Sequence, residues 1–132
     1  SEEEIARKLT DGEESQENRA LTIMRLIDKG EHEKARALIG TNEDLLGFIL
    51  HTYNALGIQA RKDGNFGKAV AEFNKALSVS PDDEALLYNL ARAYAAKKEK
   101  TSAVESIQKA LKINPAFTEA QTLLNHIQQS AS

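Results

Sequence analysis

An all-α fold of stacked antiparallel helix pairs is what this sequence predicts, and three observations predict it. The only two prolines, Pro81 and Pro115, stand 34 residues apart, each closing a similar segment: Lys75-Ala76-Leu77-Ser78-Val79-Ser80-Pro81 and Lys109-Ala110-Leu111-Lys112-Ile113-Asn114-Pro115. The same offset pairs Leu56 with Leu90, Ala69 with Ala103, Val70 with Val104 and Phe73 with Ile107. Between the turn residues, apolar side chains recur every three or four positions, the spacing of one helix face. A period of this length marks supersecondary units that bury their apolar faces by stacking on one another.

Taken in order, residues 1–14 read as a short helix around Ile5 and Leu9 or a frayed arm, rich in acid from Glu2-Glu3-Glu4 to Glu14. Residues 15–49 read as a degenerate first repeat. Ser15 is the expected cap of a helix carrying Leu21, Met24 and Ile27. A short second helix follows from about Glu31 to Ile39, cut off by Gly40-Thr41-Asn42. Asn42 then caps a helix that begins near Glu43 and runs on to Lys62.

Residues 50–83 hold a full repeat. Leu50, Tyr53, Leu56, Gly57 and Ala60 share a face of its first helix, and Asp63-Gly64-Asn65 is a turn. Phe66, Ala69, Val70, Phe73, Ala76 and Leu77 mark the second helix, stopped at Ser80-Pro81. Residues 84–117 repeat the plan. Asp82 or Asp83 caps a helix with Leu86, Leu87, Leu90, Ala91 and Tyr94; Lys97-Lys98-Glu99-Lys100 forms the turn; Ala103, Val104, Ile107, Ala110 and Leu111 follow. In 118–132, Thr118 is the expected cap of a last helix. It is apolar along Ala120, Leu123, Leu124 and Ile127 and polar on its other face, as the open end of a stack requires. About seven helices result, in one domain.

Composition narrows the function. The chain has 132 residues, 41% hydrophobic and 28% charged, with no cysteine. Disulfides, thiolate metal sites and cysteine nucleophiles are therefore excluded. Residues 1–44 carry 7 Lys and Arg against 12 Asp and Glu, a net −5, while residues 45–132 carry a net +2. Neither part has the dense basic face of a nucleic-acid binder. The longest apolar run, around Leu45-Leu46 and Phe48-Ile49-Leu50, is too short to span a bilayer. No signal peptide is visible, and the cytoplasm is the expected compartment. The chain starts at Ser1 rather than Met, so a piece of a larger multidomain protein is part of the expectation.

Nothing in the sequence assembles a reaction centre. His32, His51 and His126 fall on three different elements without metal-ligand spacing. Asp63-Gly64-Asn65-Phe66-Gly67 lacks the strand–helix context and Lys-Ser/Thr pair of a phosphate loop. Ser102 and Ser106 have no base. A non-enzymatic protein without cofactor or metal is expected.

Tyr53, Leu56-Gly57, Ala69, Phe73, Ala76 and Pro81 stand where the tetratricopeptide repeat has its aromatic, Leu-Gly pair, Ala, second aromatic, second Ala and closing Pro, and this segment resembles that family. In the second repeat Leu87, Ala91 and Ile107 replace the first aromatic, the glycine and the second aromatic. The resemblance implies a right-handed α-solenoid of roughly two and a half repeats plus a capping helix. Gly57, Ala69 and Ala76 let the two helices approach, while Phe73 and Leu56 fill the space between layers.

The resemblance also implies a groove lined by the first helices that holds a peptide or helix of a partner protein. Its candidate residues are His51, Asn54, Ile58, Arg61 and Lys62, then Tyr88, Asn89 and Arg92, then Thr122 and His126. Asn54 and Asn89 suit a peptide backbone; Arg61, Lys62 and Arg92 favour an acidic partner. The carboxylate clamp of chaperone-binding members is not expected, because only Asn89 of its five residues is matched. The alternative is a structural module that forms a homodimer, or docks on a neighbouring domain, through apolar residues 45–50.

Overall fold

A computed structural model describes residues 1–2 and 13–130, and the expected arm at 1–14 lies largely outside the described residues. Between Glu13 and Ser130 the chain forms seven helices: α1 Glu13–Asp28, α2 His32–Ile39, α3 Glu43–Lys62, α4 Phe66–Val79, α5 Glu84–Ala96, α6 Lys100–Ile113 and α7 Thr118–Gln129. No strand occurs among the described residues. The chain divides into two compact units, Ser1–Leu50 and His51–Ser132.

The 34-residue period is written into the backbone. Gly30, Gly64 and Lys98 all have positive φ, at 84°, 80° and 66°. Around each, the same pair of bonds closes the helix. Glu31, Asn65 and Glu99 donate their N–H to the carbonyls of Leu26, Ala60 and Tyr94 at 2.8, 2.8 and 2.9 Å; Gly30, Gly64 and Lys98 donate to Ile27, Arg61 and Ala95 at 2.9, 3.0 and 3.0 Å. This is the Schellman termination, which places its pivot residue in the left-handed region that glycine enters without a Cβ penalty. Lys98 adopts it with a side chain.

In the first unit α1 and α2 pack together. The buried stripe of α1 is Ala20, Ile23 and Ile27; Leu21, expected inside, is 52% exposed, and Met24 is half-buried. Ser15 lies within the described helix, because Glu13 and Glu14 are already helical, and so does not cap it. The second helix is short as expected: α2 has 8 residues, against 14 in α4 and in α6. Gly40, at φ 54°, ends it and donates its N–H to the Arg36 carbonyl at 2.9 Å. Asn42 caps α3 as expected, its Oδ1 accepting from Leu45 N–H at 3.0 Å. The apolar segment is more covered than its composition suggests. Leu45 and Ile49 are buried, and only Phe48, at 45%, is strongly exposed.

In the second unit, Tyr53, Gly57 and Ala60 form the buried stripe of α3. Leu56 lies off the centre of that stripe and is 41% exposed, so it does not fill the layer as expected. Phe73, Ala69 and Ala76 of α4 are wholly buried. The core continues through Leu87, Ala91, Ile107, Ala110, Ala120 and Leu124, with Tyr88, Leu111 and Phe117 packed against it. Asp83 caps α5, accepting from Leu86 N–H at 3.1 Å. Asn65 caps α4 in the same way, from Lys68 N–H at 3.2 Å. The cap position of α7 is Phe117 rather than Thr118. Thr118 is already helical, and its hydroxyl turns back to the Ala116 carbonyl at 3.4 Å.

Candidate functional site

All ten candidate groove residues belong to the second unit, on α3, α5 and α7, the helices that open each repeat and the capping segment. Asn54, Ile58, Arg61, Tyr88, Asn89 and Arg92 are half-buried. His51, Lys62, Thr122 and His126 are exposed.

Two groups within the set come together. Asn89 Nδ2 donates to Asn54 Oδ1 at 2.8 Å, joining α5 to α3. Once that bond is made, Asn54 Nδ2 and Asn89 Oδ1 carry no other bond among the described residues. The pair therefore keeps unused N–H donors and oxygen lone pairs on both side chains. The second group is Tyr88 and Arg92. The Arg92 guanidinium lies 5.8 Å from the centroid of the Tyr88 ring, within cation–π range. Tyr88 packs on Phe117, centroids 5.3 Å apart and planes tilted by 44°. Phe117 was not among the expected site residues; its signal is an aromatic at the start of the capping segment. Burial, and next the like charge of Arg92, hold Arg61 below the ordinary guanidinium value, with Tyr88 acting the other way.

Asn89 and Tyr88 thus each join one element of the unit to another. The structure gives no contact that brings His51, Thr122 or His126 to these two groups.

The remaining titratable residues form no centre. No group of three or more His, Cys, Asp or Glu among the described residues could hold a metal ion. In the lysine-rich turn, Lys97 Nζ sits 3.0 Å from Glu99 Oε1, and Lys100 Nζ donates to the Ser130 carbonyl at 3.3 Å. Ser106 Oγ donates to the Ser102 carbonyl at 2.9 Å, a bond internal to α6. No helix described is long and apolar enough to cross a membrane.

The paired helices, the recurrent turns and the small residues at the helix crossings define a helical repeat protein. The family model for the tetratricopeptide repeat matches residues 60–127, just over half of the chain. The chain belongs to the tetratricopeptide repeat family. It is similar to cellulose synthase operon protein C of Escherichia coli strain K12 and to the putative cellulose synthase operon protein C of Escherichia coli O157:H7. Identity to each is 36% over 61 residues, covering 46% of this chain and 5% of the relative. Repeats of this family are protein–protein interaction modules and are typically non-catalytic.

Proposed function

We propose that the face built by α3, α5 and α7 binds an extended segment of a partner protein. The observation that supports it best is the Asn54–Asn89 pair. Its free amide N–H and free carbonyl match the alternating acceptor and donor of an extended backbone, so the pair can hold a peptide independently of its sequence. Ile58 and Tyr88 flank the pair on the same helices with apolar surface for the partner's side chains. Specificity comes from those flanks and from Arg61, Lys62 and Arg92.

The test is a titration of wild-type and variant chains against partners recovered from cell extract. Asn89→Ala and Arg92→Ala are expected to lose binding with helicity retained. Unchanged binding by both variants moves the site off this face.

Self-association through residues 45–50 has less to support it, since Leu45 and Ile49 are buried. Phe48 is the residue through which it would act, and sedimentation at several concentrations distinguishes a homodimer from a monomer.

A further inference from the structure

Between α4, α5 and α6 the second unit holds a cavity of about 270 Å³. Leu77, Leu87 and Leu90 give it an apolar wall. Ser106, also in the lining, is 8% exposed and donates its hydroxyl to the Ser102 carbonyl, which leaves its oxygen free to accept. Glu105 and Lys109, one turn apart on α6, line the cavity from its exposed side. The repeat supplies an internal comparison. One period earlier, the positions of Leu87, Ser106 and Lys109 are held by Tyr53, Glu72 and Lys75. There the lysine joins the other two: Lys75 Nζ lies 3.2 Å from Glu72 Oε1 and 5.9 Å from the centroid of the Tyr53 ring. Tyr53 is 2% and Glu72 7% exposed, so a ring and a carboxylate are packed into that crossing. In the second repeat the ring has become leucine and the carboxylate a serine hydroxyl, the lysine is kept, and all three successors line the cavity. Glu105 is an added acid, since its period-mate is Ala71.

We propose that this cavity binds a free aromatic α-amino acid, phenylalanine or tyrosine. The ligand's ring packs on Leu77, Leu87 and Leu90, in the room that Tyr53 takes one repeat earlier, and its carboxylate meets the Lys109 ammonium as Glu72 meets Lys75. Glu105 receives the ligand's ammonium, so the two charges on α6 match the two charges of the zwitterion. The size agrees. An apolar cavity of about 150 Å³ takes up benzene, and the additional volume here accommodates the atoms that carry the two charges. An apolar pocket with a few convergent polar groups that fix orientation is the general form of a small-molecule site. None of the candidate groove residues lines it, so the site is separate from the face of α3, α5 and α7.

The test titrates the full chain, labelled with 15N, with L-phenylalanine, L-leucine, 3-phenylpropionate, phenylalanine amide and N-acetyl-phenylalanine amide. Phenylalanine is expected to shift the Asn74 side-chain amide and the backbone amides of Leu77, Ser106 and Lys109, with half-saturation at about 1 mM. The side-chain amides of Asn54 and Asn89 stay unmoved. 3-Phenylpropionate, without the ammonium, and phenylalanine amide, without the carboxylate, are each expected to bind about fivefold more weakly. Glu105→Gln and Lys109→Gln change exposed positions, and each is expected to weaken phenylalanine about fivefold. Glu105→Gln then no longer distinguishes phenylalanine from 3-phenylpropionate, and Lys109→Gln no longer distinguishes it from the amide. Leu87→Tyr with Ser106→Glu restores the ring and carboxylate of the first repeat and is expected to abolish binding.

The absence of any shift at about 20 mM phenylalanine overturns the proposal. So does leucine or N-acetyl-phenylalanine amide binding as tightly as phenylalanine: the first makes the cavity a general apolar one, and the second makes its occupant a side chain of a protein. Shifts centred on Asn54 and Asn89, or Gln variants that discriminate among the probes as wild type does, place the ligand elsewhere and overturn it as well.

Discussion

Gly57 of α3 lies against the ring of Phe73 of α4 so closely that a Cβ at position 57 would stand 2.5 Å from Phe73 Cε1 and 2.7 Å from Cδ1 and Cζ. Phe73 is wholly buried and cannot swing away. The glycine is thus needed for space, in a helix interior where glycine is otherwise costly.

Gly57→Ala is therefore expected to lower stability by about 1–3 kcal/mol, overpacking outweighing the gain of about 1 kcal/mol in helix propensity. Gly47, in the same helix, has no neighbour within 4 Å of its would-be Cβ. Gly47→Ala is expected to raise stability by up to about 1 kcal/mol. Urea denaturation of the two variants beside wild type reads the opposite signs.

The second repeat contains its own solution to the same crossing. One period on from Gly57 and Phe73 stand Ala91 and Ile107, both wholly buried in one cluster. The added methyl of the alanine is matched by a smaller facing side chain. Combining Gly57→Ala with Phe73→Ile should accordingly cost less than the two single changes summed, with a coupling of about 1 kcal/mol or more. Strict additivity in the denaturation cycle contradicts the packing account.

Lys98 occupies the left-handed position that Gly30 and Gly64 fill in the other two turns. Lys98→Gly removes the Cβ strain and is expected to stabilise the chain by about 1 kcal/mol. Gly64→Ala imposes the same strain and is expected to destabilise it by a similar amount. Thermal melts of both variants check the pair of signs.

The Asn54–Asn89 hydrogen bond predicts a stability coupling as well as a binding role. In a cycle of Asn54→Ala, Asn89→Ala and the double variant, the coupling is expected near 1 kcal/mol, the net worth of a partly solvated side-chain bond. No coupling means that the two amides do not meet in solution.

Most of the fold was legible because it depends on features that sequence carries directly. The turns at Gly30 and Gly64 announce themselves by residue type, and Asn42 and Asp83 cap where short polar residues precede an apolar run. The crossing of Gly57 and Phe73 follows from residue size. Other features depend on how far a helix is rotated about its axis, which a spacing of three or four does not resolve. Leu56 and Leu21 fit the periodicity yet lie off the centre of the buried stripe and face water. Thr118 has the chemistry of a cap, but the helix begins with it and its hydroxyl finds the Ala116 carbonyl.

The candidate site shows the same division. The ten residues could be placed on the first helices of the repeats and on the capping helix from the resemblance to the family. Their pairing could not, because Asn54 meets Asn89, 35 residues on, rather than its period-mate Tyr88. Likewise, the packing of Tyr88 on Phe117 joins positions that are not equivalent in the repeat. Contacts between neighbouring helices depend on their relative rotation and height, which the repeat period leaves open.

The central claim, that the face of α3, α5 and α7 receives the partner, is tested most directly by photo-crosslinking in living cells. A photoreactive side chain is placed singly at His51, Ile58 or His126 on that face, and at Lys68, Gln108 or Lys109 on α4 and α6. The account predicts one common protein adduct from the first three positions and none from the second three. The same adduct arising only from Lys68, Gln108 and Lys109 would contradict it.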